Sequence, residues 1–141
     1  MPSTTERFDL LDFHDATIEE IIVAGSTIEI RLGFANIMES HPSNPYAVAK
    51  CIENCTLLFE SVKEATANLY SDSEKKFVPH PDPTAPIEWE ILEAEEMPGK
   101  GFSLKGMHSL GWSEWLIFCP EFQLNWVAFS NDAWFVNRPP K

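Results

Sequence analysis

The chain has 141 residues, 44% of them hydrophobic, and 22 acidic against 10 basic residues give a formal net charge of −12. This composition argues against a disordered chain and against a nucleic-acid binder, whose affinity comes largely from basic groups that neutralise phosphates. No stretch approaches the roughly 18 apolar residues of a membrane helix, and the polar start lacks a signal-peptide pattern. We therefore expect a single cytoplasmic domain, 1–141, without membrane contact.

The first third of the chain predicts a β-hairpin. Residues 1–7 are polar and are expected to form a flexible tail. In 27–35 the apolar residues alternate with polar ones, which is typical of a half-buried strand. The preceding run 17–23 also fits a helical spacing, but the short connection through Gly25 favours two paired strands. The pattern predicts a hairpin of 17–23 and 27–35.

The middle of the chain predicts strands separated by loops. Residues 36–46 contain turn-forming residues, whereas 55–62 is apolar on both faces and predicts a strand near the middle of a sheet. Residues 63–70 fit a strand or a short helix, and we favour the strand. Residues 71–86 are expected to form a long proline-rich loop inside the domain, because its prolines cannot donate ladder hydrogen bonds.

The last third again alternates apolar and polar residues. Strand patterns cover 87–91, 102–105, 115–119 and 122–126, and Gly106 is expected to open the loop that ends at Gly111. Seven or eight short strands at such intervals are typical of sandwiches and barrels. We predict a mainly β fold: a single antiparallel β sandwich or partly open barrel, with at most a short helix between residues 40 and 70.

A catalytic constellation is not evident in the sequence. Ser109 lacks the glycine spacing of a nucleophile elbow, and Cys51, Cys55 and Cys119 are expected to be reduced, buried apolar residues. We therefore predict no catalytic residues and no cofactor, and hence a protein that is not an enzyme.

A metal site is the alternative hypothesis. His14 and Asp15 resemble the metal-binding doublet of phosphohydrolases, so a metal-dependent hydrolase or a small-ligand-binding domain centred on them is conceivable. The remaining histidines, His41, His80 and His108, could converge with them, completed by Asp15, Asp82 or Glu121, but we expect these three to be scattered surface histidines. We favour a structural role for the doublet, in which it organises the turn before the hairpin.

Aromatic and acidic residues indicate a protein-binding surface. All five tryptophans lie after the proline-rich segment, and most alternate with polar residues as core residues do. Trp112 and Trp134 flank loops and are expected to be partly exposed. A rigid aromatic side chain among carboxylates is a good anchor for a basic protein partner. The predicted partner-binding residues are Glu88, Glu90, Trp112 and Glu114.

The order of short motifs resembles that of a group of small uncharacterised bacterial β domains. The motifs are Phe13-His14-Asp15-Ala16, the hairpin, Cys55-x-Leu57-x-Phe59-x-x-Val62, Gly106, and Trp112-x-x-Trp115. Some of these domains are similar to immunity proteins of bacterial toxin systems. The resemblance implies a non-enzymatic antiparallel β domain, and it transfers no functional residue. With the net charge, it leads us to expect an immunity-type protein that neutralises a basic toxin through an acidic surface.

Overall fold

The computed structural model describes residues 2–136, which form twelve β-strands and a single 3-10 turn at Phe8–Leu10. No α-helix occurs within this range. The strands are β1 (Ser3–Thr4), β2 (Leu11–Asp12), β3 (Ala16–Ala24), β4 (Thr27–Ile37), β5 (Lys50–Phe59), β6 (Glu64–Ser71), β7 (Lys76–Pro79), β8 (Glu90–Met97), β9 (Gly101–His108), β10 (Gly111–Phe118), β11 (Phe122–Asn125) and β12 (Phe129–Asp132).

Every pairing between these strands is antiparallel, and the described strands follow one open path, β1-β11-β5-β4-β3-β8-β9-β10-β6-β7. The short strands β2 and β12 add to β4 and β5. Strand β3 joins two halves of this path. We call β1, β11, β5, β4 and β3 the first sheet, and β8, β9, β10, β6 and β7 the second sheet. The prediction of an antiparallel, partly open architecture is confirmed.

Alternation builds the hairpin and the core. Ile28, Ile30 and Leu32 are at most 3% exposed, and the Gly25-Ser26 connection places Gly25 at a φ of +60°, which favours glycine. Aromatic rings join the two sheets. Phe102 of β9 lies 5.2 Å from Phe59 of β5, between ring centroids, and Phe8 packs against Phe102 at 5.0 Å. The two sheets therefore share one apolar interior.

Two predicted irregular segments are ordered as strands. Ser3 and Thr4 were expected in a flexible tail but pair with Asn125 and Leu124 in β1, and Thr4 is buried. Residues 76–79 lie in the predicted loop 71–86 but pair with β6 as β7. A proline is tolerated there because β7 ends the strand path, so Pro79 need not donate to a further strand.

Two predictions near β8 are also wrong. Gly106 was expected to open a loop, but it lies inside β9, paired with Ile91 and Ser113. Trp89 was expected on the core face with its alternating neighbours, yet it is 56% exposed while Ile87 and Ile91 are buried. The strand begins only at Glu90, so alternation no longer fixes which way Trp89 points.

Candidate functional site

The second sheet presents an outer row of side chains that contains Trp112. Trp112 lies opposite Met107 of β9, and Tyr70 of β6 lies opposite Phe77 of β7. Continuing the two strand registers by one residue places Trp112 opposite Tyr70 and Glu90 of β8 opposite Met107. Neighbouring strands lie about 4.8 Å apart, so these five residues span about 19 Å. We call Glu90, Met107, Trp112, Tyr70 and Phe77 the outer row.

The outer row is half-buried: its side chains pack along the sheet and still face solvent. Each of its five residues is of intermediate exposure. The rings of Tyr70 and Phe77 lie 5.5 Å apart in an edge-to-face arrangement, which fixes their orientation. The expected partial exposure of Trp112 is confirmed. An aromatic strip of this kind can anchor a partner with little loss of side-chain entropy.

Carboxylates flank the outer row. Glu114 lies two residues after Trp112 on β10, opposite Lys105 and Asn68. Its Oε1 accepts a hydrogen bond of 3.0 Å from Asn68 Nδ2. Glu93 lies opposite Lys105 on the other side. Glu90, Trp112 and Glu114 of the predicted site therefore share one face of the second sheet, and this face carries more acidic than basic groups.

Glu88, the fourth predicted residue, belongs to a different cluster. Its Oε1 accepts a 2.8 Å hydrogen bond from Ser109 N and lies 3.1 Å from Nε2 of His108. The same nitrogen lies 3.1 Å from Oδ2 of Asp82. The donation from Ser109 lowers the pKa of Glu88, with smaller help from His108. Glu88 thus fixes the end of β9.

The cluster around Glu88 continues into the interior. The rings of His80 and His108 lie 4.6 Å apart, and His80 Nε2 lies 3.1 Å from Ser113 Oγ. A serine–histidine contact is half of a nucleophilic pair, but Ser113 is 0% exposed and His80 is 5% exposed. Because no substrate reaches Ser113, we assign this pair a structural role.

Three buried histidines use the same local hydrogen-bonding pattern. Nδ1 of His41, His80 and His108 accepts the backbone N–H two residues later, at 3.0, 2.9 and 3.1 Å. The Nε2–H is then the donor, to Glu6 O for His41 and to Ser113 Oγ for His80. Each ring therefore holds the turn that follows it. The expectation that these histidines lie scattered on the surface is wrong, because all three are buried.

Acid should weaken the turn that His80 holds. Burial lowers the pKa of His80 from its usual 6.5, and His108 acts in the same direction. A depressed pKa in the folded state means that the contribution of His80 to stability is complete above pH 6.5 and is lost as the pH falls through the folded-state pKa. We expect His80→Gln to flatten this acid loss when free energies of unfolding in urea are compared at neutral and mildly acid pH.

His14→Gln is the control for this experiment. The hydrogen bond of His14 to Leu92 O raises the pKa of His14, so its contribution is complete below the unfolded-state pKa and is lost as pH rises. The His14 substitution should therefore steepen the loss of stability on acidification. A His80→Gln variant with the pH dependence of the wild type would contradict the assignment.

His14 and Asp15 form the turn into β3. His14 N–H donates to Asp12 Oδ1 at 3.0 Å, and His14 Nδ1 lies 2.8 Å from Leu92 O. Asp15 adopts a φ of +65° and its N–H donates to Ile91 O. These contacts tie the turn to β8 beside an open pocket of about 420 Å³. The geometry supports the structural role that we favoured.

The alternative metal site would need several ligand side chains that meet at one point. No three His, Cys, Asp or Glu side chains among residues 2–136 are arranged to hold a metal ion. The convergence of histidines that the alternative hypothesis needs is met only in part, since His80, His108 and Asp82 meet while His14 and His41 use their ring nitrogens elsewhere. Burial raises the pKa of Cys55 to about 12 and that of Cys119 to about 11, so neither is an activated thiol.

The chain was compared with protein-family models, with curated proteins and with solved structures, and none of these comparisons gave a match. Among the described residues, no helix has the length and apolar character needed to cross a membrane.

Proposed function

We propose that this chain is a non-enzymatic binding protein that engages a basic protein partner through the outer face of the second sheet. The observation that carries the proposal is the outer row, which combines three aromatic rings with the carboxylate of Glu90. Glu93 and Glu114 lie beside it, and the chain has a net charge of −12. Interfaces are typically anchored by a few packed aromatic residues, and charge complementarity accelerates encounter.

A basic toxin is the partner that we propose, with the chain acting as a cytoplasmic immunity protein. The resemblance in motif order to immunity-type domains supports this role. The buried state of Ser113 and the raised thiol pKa values also favour binding over catalysis. A toxin with a cationic active-site surface would be covered by an acidic face, which would exclude its substrate.

Charge reversal on the outer face tests the proposal. The probe is the purified product of a neighbouring toxin gene, and the measurement is its association rate with the chain. Glu90→Lys/Glu114→Lys should slow association about tenfold at low salt, because complementary fields steer encounter. The difference should shrink at high salt, where exposed charges are screened.

Glu53→Lys/Glu60→Lys is the matched control, since both residues are exposed and lie in or just after β5 of the first sheet. It makes the same change in net charge and should slow association much less. Equal effects of the two double variants would mean that only overall charge matters. A gene flanked solely by metabolic enzymes would count against an immunity role.

A further inference from the structure

Strand β3 leaves an open edge where the two sheets part. Ala16 and Thr17 pair with β8, and Ile18 N–H donates to Trp89 O at 2.8 Å. Beyond this point β3 pairs with β4 alone. Within residues 2–136, no strand lies on the other side of residues 19–24. We call these six residues the β3 edge.

The register decides which backbone groups point outward. In an antiparallel pair, consecutive residues alternate between bonding the partner strand and pointing away from it. Ile18 points away from β4 because its N–H reaches Trp89, and the bulge between Ile18 and Glu20 shifts the pairing by one residue. Ala24, next to the two-residue turn, bonds Thr27, and Ile22 then bonds Glu29. The amides of Ile21 and Val23, which alternate with them, therefore lie on the open edge.

Most exposed sheet edges carry features that prevent strand addition, such as charges, prolines and bulges. Here the bulge and the charges of Glu19 and Glu20 occupy only the start of the edge. Ile21, Ile22 and Val23 follow without interruption, and Val23 is 39% exposed. All three are β-branched residues that favour extended structure. The rest of the β3 edge is thus available to a strand.

A groove of about 250 Å³ lies beside the first half of this edge, at residues 19–21. Its apolar lining comes from Ile18, Ile21, Ile87 and the exposed ring of Trp89. Its acidic lining comes from Glu19, Glu20 and Glu88, and it contains no lysine or arginine. Arg31 lies nearby but bridges both Glu20 and Glu29, each at 2.9 Å, so the surroundings stay negative.

We propose that the β3 edge binds an extended, basic segment of a partner protein by strand addition. Backbone hydrogen bonds to Ile21 and Val23 supply affinity, and an apolar side chain of the segment packs against Trp89 while its basic side chains meet the groove carboxylates. A second copy of this chain is disfavoured, because each copy carries a net charge of −12. The inference goes beyond the proposed function, which depends on the outer row.

Amide hydrogen exchange with a synthetic peptide tests the proposal. The probe is an acetylated ten-residue peptide of alternating lysine and valine. At saturation, exchange of the Ile21 and Val23 amides should slow at least tenfold, while that of Ile22, already paired with Glu29, should change little. Slowing confined to residues 107–114 would overturn the proposal, and so would equal binding of a peptide with glutamate in place of lysine.

Val23→Pro removes the outward N–H without removing a bond to β4, whereas Val23→Thr keeps both the amide and the β-branched shape. Affinity for the peptide should fall at least tenfold in Val23→Pro. It should stay within threefold of wild type in Val23→Thr and in Trp112→Ala. If Val23→Pro does not fold, peptides methylated on alternate backbone nitrogens provide the same test on the wild-type chain. Methylation of the alternate nitrogens that face β3 should abolish binding, while methylation of the other set should leave it nearly unchanged. Unchanged affinity for both methylated sets would overturn the proposal, as would a dimer that protects the same amides without peptide.

The outcome is separable from that of the proposed function. Loss of toxin association in Glu90→Lys/Glu114→Lys, with peptide binding intact, would support the outer row alone and leave the two surfaces independent. Loss of peptide affinity in Val23→Pro, with toxin association intact, would support the β3 edge as a separate docking surface.

Discussion

Replacing Gly106 with alanine should destabilise the protein by about 3 kcal/mol, near the upper end of the usual cost of overpacking a core. A Cβ on Gly106 would lie 2.4 Å from the carbonyl oxygen of Glu90 and 2.7 Å from Cγ2 of Ile87. The first of these is backbone of a paired strand, which cannot rotate away. Urea unfolding followed by tryptophan fluorescence measures the change.

Gly33→Ala is the matched control, because it makes the same substitution in a strand. A Cβ there would meet Glu19 Oε1 at 3.0 Å, and this atom is the end of an exposed, flexible side chain. Alanine also restricts the unfolded chain, so Gly33→Ala should change stability by less than about 1 kcal/mol. If Gly106→Ala falls in the same range, the close approach of β8 to Gly106 is not a constraint on the fold.

The alternation in 27–35 and the short turn at Gly25 were together enough to predict the hairpin, because one buried face dictates both the extended backbone and the register. Alternation also predicted that Trp115, Ile117 and Cys119 share one face, and all three are buried. The antiparallel class follows from such strands being joined by short turns. These features need only neighbouring residues, so the sequence contains the information directly.

Gly106 and Trp89 could not be predicted in this way. A glycine in a strand pattern is indistinguishable from a turn glycine until the neighbouring strand is known, and only the packing of Ile87 and Glu90 reveals why a side chain is excluded. Trp89 alternates correctly with Ile87 and Ile91 but precedes the strand, where β3 and β8 part. Its exposure depends on topology.

The candidate site was predicted in part for the same reason. Glu90, Trp112 and Glu114 carried a compositional signal of aromatic and acidic residues, and the fold places them on one face. Tyr70 and Phe77 could not be added from the sequence, because only strand pairing brings them to Trp112, which lies 42 and 35 positions further along the chain. Glu88 was misplaced, since its bond to Ser109 turns it toward His108.

Replacing Trp112 with alanine should weaken binding of the basic partner by about 2 kcal/mol or more, which is about 30-fold in Kd, if Trp112 is the central anchor of the outer row. Trp112 lies between Met107 and Tyr70 in the register, so truncation opens a gap in the middle of the outer row. The increase should appear mainly as faster dissociation, because charge steering is retained. Calorimetry and dissociation kinetics with the purified toxin measure both effects.

Trp134→Ala is the control for loss of a tryptophan, since Trp134 is 54% exposed and follows β12 at the first sheet. It should leave partner binding within about twofold, as peripheral positions commonly do. Circular dichroism and the unfolding midpoint of Trp112→Ala separate binding from folding. Trp112 is only half-buried, so the variant should fold. An unfolded Trp112→Ala would make Trp112 part of the core, and a folded variant with wild-type affinity would move the interface away from the outer row.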